Sequence, residues 1–232
     1  MKGIIFDIDD TLYCRQEMLV DAAEIILGVT VEDRARFITI FYEKSDMNMS
    51  DLESGRLSTR EINGWRYNET FKTLGLPYEE EDGCLSADKY LVLQSHMQLS
   101  PAMIKILDSY KANPDLILGV LTAGESKHQW NKVDMLGLDR WIDRKNVIVC
   151  GETPYSKPDV RLFRMFEERF NLAPTDLWMI GDSYKHDIAG AIEAGWHSLW
   201  INRRGIPTPQ VSATIEVKND KELEEALMNR VV

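Results

Sequence analysis

Two carboxylate residues separated by one position stand directly after the first apolar run of the chain. Asp7 and Asp9 follow Gly3-Ile4-Ile5-Phe6, and a continuous apolar run of this kind predicts a strand buried on both faces. Ligands of α/β sheets bind beyond the carboxyl ends of the strands, so this position suits a reactive site. Carboxylates serve as nucleophiles, as acid/base groups and as ligands of hard cations. A solvated acidic turn has the same residues, and this motif alone does not decide between the two interpretations.

Three further apolar runs end in polar residues that complement the first pair. Thr122-Ala123-Gly124 follows residues 116–121, Lys157 comes after residues 147–150, and Gly181-Asp182-Ser183 with Asp187 follows residues 177–180. Each of these residues has an ordinary alternative as a helix cap or a surface charge. Since the carboxyl ends of parallel strands lie at one edge of a sheet, four such ends in succession predict a single site.

The alternation of apolar runs and helical patterns predicts the elements that position these residues. Strand-like runs at residues 3–6, 116–121, 147–150, 177–180 and 198–201 indicate an α/β fold with a doubly wound parallel, Rossmann-like sheet. The segment between the first two runs is far too long for an ordinary crossover. It shows helical patterns throughout, with apparent capping boxes at Thr30-x-x-Asp33 and Ser58-x-x-Glu61. We therefore predict a catalytic core from residues 1–13 and 98–232, and an inserted all-helical cap from residues 14–97.

Composition and charge narrow the classes of partner. The chain has 27 basic and 38 acidic residues, a formal charge of −11, which argues against nucleic acid and anionic membranes. No apolar stretch approaches the ~18 residues of a membrane span. The three cysteines have no paired spacing and indicate reduced thiols, and the N-terminal sequence has no signal-peptide pattern. We expect a cytoplasmic protein, monomeric or homodimeric, that binds a small anion in a locally positive pocket.

In order and approximate spacing, the strand-end motifs resemble those of the haloacid dehalogenase superfamily of hydrolases. Asp7-Ile8-Asp9-Asp10-Thr11 resembles its first motif, Thr122 its second, Lys157 its third, and Gly181-Asp182 with Asp187 its fourth. The resemblance covers residues 1–13 and about 98–205. The long helical insert resembles that superfamily's helical cap of the first type, in which substrate specificity would lie. The resemblance implies a phosphatase that acts on a small phosphorylated metabolite.

The resemblance also implies a role for each matched residue. Asp7 would be the nucleophile that forms an aspartyl-phosphate, and Asp9 the general acid and base. Mg²⁺ would be held by Asp7, Asp182 and the backbone carbonyl of Asp9. The implied phosphate-binding residues are Thr11, Thr122, Ala123 and Lys157. Asp187 would orient Lys157 or a metal-bound water.

Electrostatics supports the implied cofactor. A carboxylate and a phosphoryl group repel each other by about 4 kcal/mol per pair of unit charges at 4 Å and an effective dielectric constant near 20. Mg²⁺, which prefers oxygen ligands, and Lys157 would offset this repulsion. Asp9 disfavours a dehalogenase, because a leaving halide needs no proton.

Two other functions remain open from the sequence. A phosphomutase of the same superfamily would return the phosphoryl group to a second hydroxyl and release an isomeric sugar phosphate. A receiver-like signalling module also combines acidic residues, Thr and Lys at strand ends, but receivers lack the cap and do not carry the phosphorylated aspartate on the first strand. Tyr13, Arg15 and Arg56 are either substrate contacts or ordinary surface residues.

Overall fold

The chain divides into two compact units. The computed structural model of the protein describes residues 1–47 and 58–231. The core unit comprises Met1–Cys14 and Gln98–Val232, and the insert unit comprises Arg15–Met97. The helices, in chain order, are α1 (Gln16–Leu27), α2 (Arg34–Met47), α3 (Thr59–Leu74), α4 (Asp82–Gln94), α5 (Pro101–Ala112), α6 (Ser126–Met135), α7 (Val160–Phe170), α8 (Ala189–Ala194) and α9 (Asp220–Asn229).

A six-stranded sheet forms the centre of the core unit. Its strands are β1 (Lys2–Phe6), β2 (Leu116–Thr122), β3 (Val147–Val149), β4 (Leu177–Gly181), β5 (His197–Ile201) and β6 (Ile215–Val217). They lie in the order β3-β2-β1-β4-β5-β6, and every neighbouring pair is parallel. The predicted doubly wound parallel sheet is confirmed, and the short edge strand β6 is an element that the sequence did not predict.

The direction of winding reverses between β1 and β4. Strands β2 and β3 lie on one side of β1, and the chain then crosses over to the other side of β1, where β4, β5 and β6 lie. Connections therefore leave β1 and β4 in opposite directions, and a crevice opens between their carboxyl ends. Asp7 is the first residue after β1, and Asp182 is the first residue after β4.

Helix α7 is held against the sheet by the stripe that the sequence predicts. The stripe consists of Leu162, Phe163, Phe166 and Phe170, all of them buried. They share one core cluster with Ile5 of β1, Leu121 of β2 and Met179 of β4. Full burial of a side chain of this size contributes about 1.5–3 kcal/mol. Ile148 of β3 belongs to the same cluster, so the four strands whose ends carry the predicted site rest on a common packed layer.

The insert unit is helical, as predicted, in the part of it that the structure describes. The four helices described within it enclose an aromatic cluster of Phe37, Phe41, Tyr67 and Phe71. Ser58 and Glu61 form the predicted capping box at the start of α3. The capping box predicted at Thr30 is wrong: α2 begins at Arg34, and Asp33 accepts a hydrogen bond from the Arg36 amide (2.9 Å). Among the described helices, none is long and apolar enough to cross a membrane.

Candidate active site

The backbone turns sharply where β1 ends. The Asp7 amide still belongs to the sheet, because it donates to the Ile180 carbonyl of β4 (2.9 Å). Two residues after Ile8 the chain adopts a left-handed conformation at Asp10 (φ 57°), which aspartate tolerates better than most residues. The Leu12 amide then donates back to the Ile8 carbonyl (3.1 Å). This turn sets the carboxylates of the first motif at the end of the strand.

Lys157 joins two of the predicted carboxylates. Its ammonium group donates to Asp7 Oδ1 (2.7 Å) and to Asp187 Oδ1 (2.6 Å). A third, longer hydrogen bond reaches the Leu121 carbonyl (3.3 Å). All three side chains are buried, with 4%, 8% and 1% of the Lys157, Asp7 and Asp187 side chains exposed. An ammonium group has three donors, so Lys157 can contact a phosphoryl oxygen only by giving up one of these partners.

The buried charges shift one another's proton affinity. Burial raises the pKa of the Asp7 carboxyl to about 7; Lys157 opposes the shift, whereas the charges of Asp187 and Asp9 add to it. Burial alone would lower the pKa of Lys157, but the carboxylates of Asp187 and Asp7 hold that pKa well above its ordinary value. Lys157 is therefore charged throughout the physiological range. A cation bound beside Asp7 would favour its ionised, nucleophilic form.

Three carboxylates lie close enough together to bind one cation. Asp7, Asp182 and Asp187 each offer an oxygen atom, and these oxygens lie within 4.8 Å of one another. Asp187 approaches the strand end because residue 181 is glycine: a Cβ there would lie 2.4 Å from Asp187 Oδ2. Carboxylate oxygens are the ligands that Mg²⁺ prefers, so the donor set fits that ion. Asp187 already accepts from Lys157 (2.6 Å) and from the Ser183 amide (3.1 Å), which favours Asp7 and Asp182 as the metal ligands.

The carboxylate of Asp9 is held by two side chains of the core unit. Tyr13 donates its hydroxyl to Asp9 Oδ1 (2.5 Å), and Lys132 of α6 donates to Asp9 Oδ2 (2.5 Å). The Asp9 side chain is 19% exposed, whereas that of Lys132 is 2% exposed. Tyr13, which the sequence offered as a substrate contact, therefore contacts the predicted acid/base residue.

The three remaining phosphate-binding candidates have separate surroundings. The buried Thr122 hydroxyl donates to Gln129 Oε1 (2.9 Å). Ala123 is half-buried and packs against the core cluster that contains Leu121 and Phe163. The Thr11 hydroxyl is buried, and no hydrogen bond to it is found within residues 1–47 and 58–231. Their contact with phosphate stays a prediction.

Lys132 and Gln129 are residues of the site that sequence reasoning missed. They lie three positions apart on α6 and are buried together with Val133. That spacing was a usable signal, because Gln129 lies four positions before Val133 and Lys132 four positions before the buried Leu136, which puts them on one helix face. A lysine on an otherwise polar helix is ordinarily exposed, and for that reason the sequence did not indicate that Lys132 is buried.

The other two candidate substrate contacts belong to the insert segment. Arg15 donates from Nε to the Tyr42 hydroxyl (3.1 Å), and its guanidinium carbon lies 5.2 Å from the centre of that ring. Arg56 lies outside the described residues. A role in substrate binding stays a prediction for both arginines.

Known proteins share this sequence pattern and fold. A family model for haloacid dehalogenase-like hydrolases matches residues 1–195. The chain is 26% identical over 215 residues to a glyceraldehyde 3-phosphate phosphatase of Methanothermobacter thermautotrophicus, with 87% of this chain and 86% of that protein covered. It is 23% identical over 226 residues to the pyrimidine 5'-nucleotidase YjjG of Escherichia coli, covering 97% and 96%. The magnesium-bound structure of the HAD-hydrolase YfnB from Bacillus subtilis has the same fold, with a TM-score of 0.71, 24% identity and coverage of 97% and 98%.

Proposed function

The chain belongs to the haloacid dehalogenase-like hydrolase family, and we propose that it is a Mg²⁺-dependent phosphatase that transfers the phosphoryl group of a small phosphomonoester to Asp7. The observation that carries the proposal is the buried group Asp7–Lys157–Asp187, with Asp182 beside it, at the switch point of the sheet. A buried ammonium flanked by carboxylates at this position supplies both a nucleophile and charge neutralisation. A cluster that only stabilised the fold would not need to lie at the mouth of the crevice.

The proposed reaction has two displacements at phosphorus. In the first, an Asp7 oxygen forms a bond to phosphorus, the bond to the ester oxygen breaks, and Asp9 gives that oxygen a proton. In the second, Asp9 takes a proton from water as the water oxygen bonds to phosphorus. The bond between Asp7 and phosphorus breaks, free phosphate leaves, and both carboxyl groups return to their starting states.

The charges of the site match the needs of both displacements. The repulsion between Asp7 and an approaching phosphoryl group, about 4 kcal/mol per charge pair at 4 Å, must be offset within the site. Lys157 contributes a permanent positive charge within 2.7 Å of Asp7. Asp187 holds this ammonium in place from its other side (2.6 Å). Asp7, Asp182 and the Asp9 carbonyl would hold Mg²⁺, and the bound ion would supply further neutralisation of the phosphoryl charge.

Relatives support a small substrate. Their names describe phosphatases of glyceraldehyde 3-phosphate and of pyrimidine nucleotides, both of which are small phosphomonoesters. The formal charge of −11 favours a small anion over a polyanion such as nucleic acid. We assign the choice among phosphomonoesters to the insert unit, Arg15–Met97.

A phosphate-release screen tests the proposal. Purified protein with Mg²⁺ is incubated with a panel of triose, sugar, nucleotide and amino-acid phosphates, and free phosphate is measured against the Asp7→Asn variant. We expect release from at least one substrate by the wild-type protein and from none by the variant, because an amide does not attack phosphorus. Appearance of an isomeric sugar phosphate without free phosphate would instead indicate a phosphomutase. Equal release by both proteins would exclude Asp7 as the nucleophile.

A further inference from the structure

Lys132 is a buried cation for which the proposed reaction has assigned no role. It lies on α6, its side chain is 2% exposed, and it is among the largest fully buried side chains of the described chain. Its ammonium donates to Asp9 Oδ2 at 2.5 Å. Burying a charged ammonium is unfavourable by several kcal/mol unless a partner compensates it, so Lys132 and Asp9 depend on each other.

The helix that carries Lys132 is itself anchored. At its first residue, Ser126 Oγ donates to Glu152 Oε1 (2.5 Å), and Trp130 Nε1, about one turn further along, donates to the same oxygen (2.7 Å). Gln129, next to Trp130 in the chain, accepts the hydrogen bond of Thr122 (2.9 Å). Helix α6 is therefore fixed to the end of β2 and to the segment after β3, and this fixes the position of Lys132 relative to the site.

Tyr13 and Lys132 differ in what they permit at the Asp9 carboxylate. An ammonium group only donates, so Oδ2 is occupied as an acceptor for as long as Lys132 stays in place. The Tyr13 hydroxyl is a neutral donor, so exchanging its contact at Oδ1 for a leaving group or a water breaks no ion pair, whereas loss of the Lys132 contact would leave a buried charge unpaired. One oxygen of the carboxylate is therefore fixed and the other is exchangeable.

We propose that Lys132 is a positioning residue for the acid/base carboxylate: it fixes Oδ2 of Asp9 so that Oδ1 makes the proton transfers. This inference rests on the proposed function and adds to it the residue that orients Asp9. Without Lys132 the carboxylate turns about its side-chain bonds, and an error of about 1 Å in the position of a reacting group lowers a rate by about 10²-fold.

A double-mutant cycle between Asp9 and Lys132 tests the inference. The four proteins are the wild type, Lys132→Met, Asp9→Asn and the double variant, with Lys105→Met as a control for an exposed lysine of the core unit. The substrate is p-nitrophenyl phosphate with Mg²⁺, followed by stopped flow. Its leaving group needs no proton, so the burst reports phosphorylation of Asp7 and the steady state reports hydrolysis, which needs Asp9. Thermal unfolding of each variant verifies folding, and Lys132→Gln replaces Lys132→Met if the latter does not fold.

The expected result is a selective loss of hydrolysis. Lys132→Met should keep the burst rate within about threefold of the wild type and lower the steady-state rate by about 10–100-fold. In the Asp9→Asn background the same substitution should change the steady-state rate by less than about threefold, because the group that Lys132 positions is gone. Losses that multiply, or a burst that slows as much as the steady state, would overturn the inference while leaving the phosphatase intact. A wild-type protein that releases no phosphate would overturn the proposed function, and this inference with it.

Discussion

Replacing Lys157 with methionine removes the cation that lies between the two buried carboxylates Asp7 and Asp187. Lys157 lies 2.7 Å from Asp7 and 2.6 Å from Asp187. At an effective dielectric constant near 20, each contact is a Coulomb attraction of about 6 kcal/mol before the loss of hydration is subtracted. Carboxylate oxygens of Asp7 and Asp187 lie within 4.8 Å of each other, which corresponds to a repulsion of at least about 3 kcal/mol while both groups are ionised. Lys157 lowers the pKa of Asp7, so without the lysine Asp7 escapes this repulsion only by taking up a proton, which itself costs stability at neutral pH. Removal of one partner from a buried ion pair destabilises proteins by about 3–5 kcal/mol, and we expect a loss in that range.

The loss is measured by thermal unfolding in EDTA at pH 7.5. For a chain of this size, about 3–5 kcal/mol corresponds to a decrease in Tm of roughly 6–20 °C. The decrease should be smaller at pH 5.5, where a protonated carboxyl removes the repulsion, and smaller in Mg²⁺, which supplies positive charge. Lys105→Met, at an exposed position of α5, should change Tm by less than about 2 °C. A Tm for Lys157→Met equal to that of the wild type in EDTA would show that Asp7 and Asp187 do not need the lysine to be stable when buried.

Three further predictions concern the reaction and its metal. Asp9→Asn should reduce turnover of an alkyl phosphate by about 10²–10⁴-fold. With p-nitrophenyl phosphate the same variant should give a burst of p-nitrophenol followed by slow turnover. Equal slowing of phosphorylation and of hydrolysis for both substrates would make Asp9 a structural carboxylate. EDTA should abolish phosphate release, and Mg²⁺ should restore it. Ca²⁺ should restore little of the activity, because its coordination is larger and looser than that of Mg²⁺. Full activity after chelation would exclude a metal requirement for the reaction. Burial raises the pKa of Asp7 to about 7 in the metal-free protein, so below that pH Mg²⁺ must displace a proton from Asp7 in order to bind. Calorimetric titration should therefore show a Mg²⁺ affinity that weakens about tenfold for each unit by which the pH falls below 7. An affinity independent of pH from 5.5 to 8 would contradict the raised pKa.

The strand ends were predictable because they depend on local signals. A run such as Ile4-Ile5-Phe6 can be buried on both faces only in a covered parallel sheet, and the residue after such a run must lie at the sheet edge. Parallel pairing then brings the ends of β1, β2, β3 and β4 to one side. This logic is sufficient to place Asp7, Lys157 and Asp187 near one another before any coordinates are known.

The partners of the predicted residues were not predictable in the same way. Whether Lys132 points to solvent or to Asp9 depends on how α6 is rotated against the sheet, and Glu152, distant in sequence, anchors that helix. The start of α2 shows the same limit at short range, because Thr30 and Asp33 both suit an N-cap and only the observed backbone selects Asp33. The three-residue strand β6 is too short to show a period.

Trapping the phosphoryl group on the protein tests directly whether Asp7 is the nucleophile. The Asp9→Asn protein is mixed with p-nitrophenyl phosphate and Mg²⁺, quenched in acid after the burst, digested with pepsin and analysed by tandem mass spectrometry. We expect one phosphoryl group on the peptide that contains Asp7, localised to that residue, and none when Asp7→Asn is added to the same protein. A phosphoryl group on another residue, or phosphate release by the Asp9→Asn protein with no covalent species formed, would contradict it.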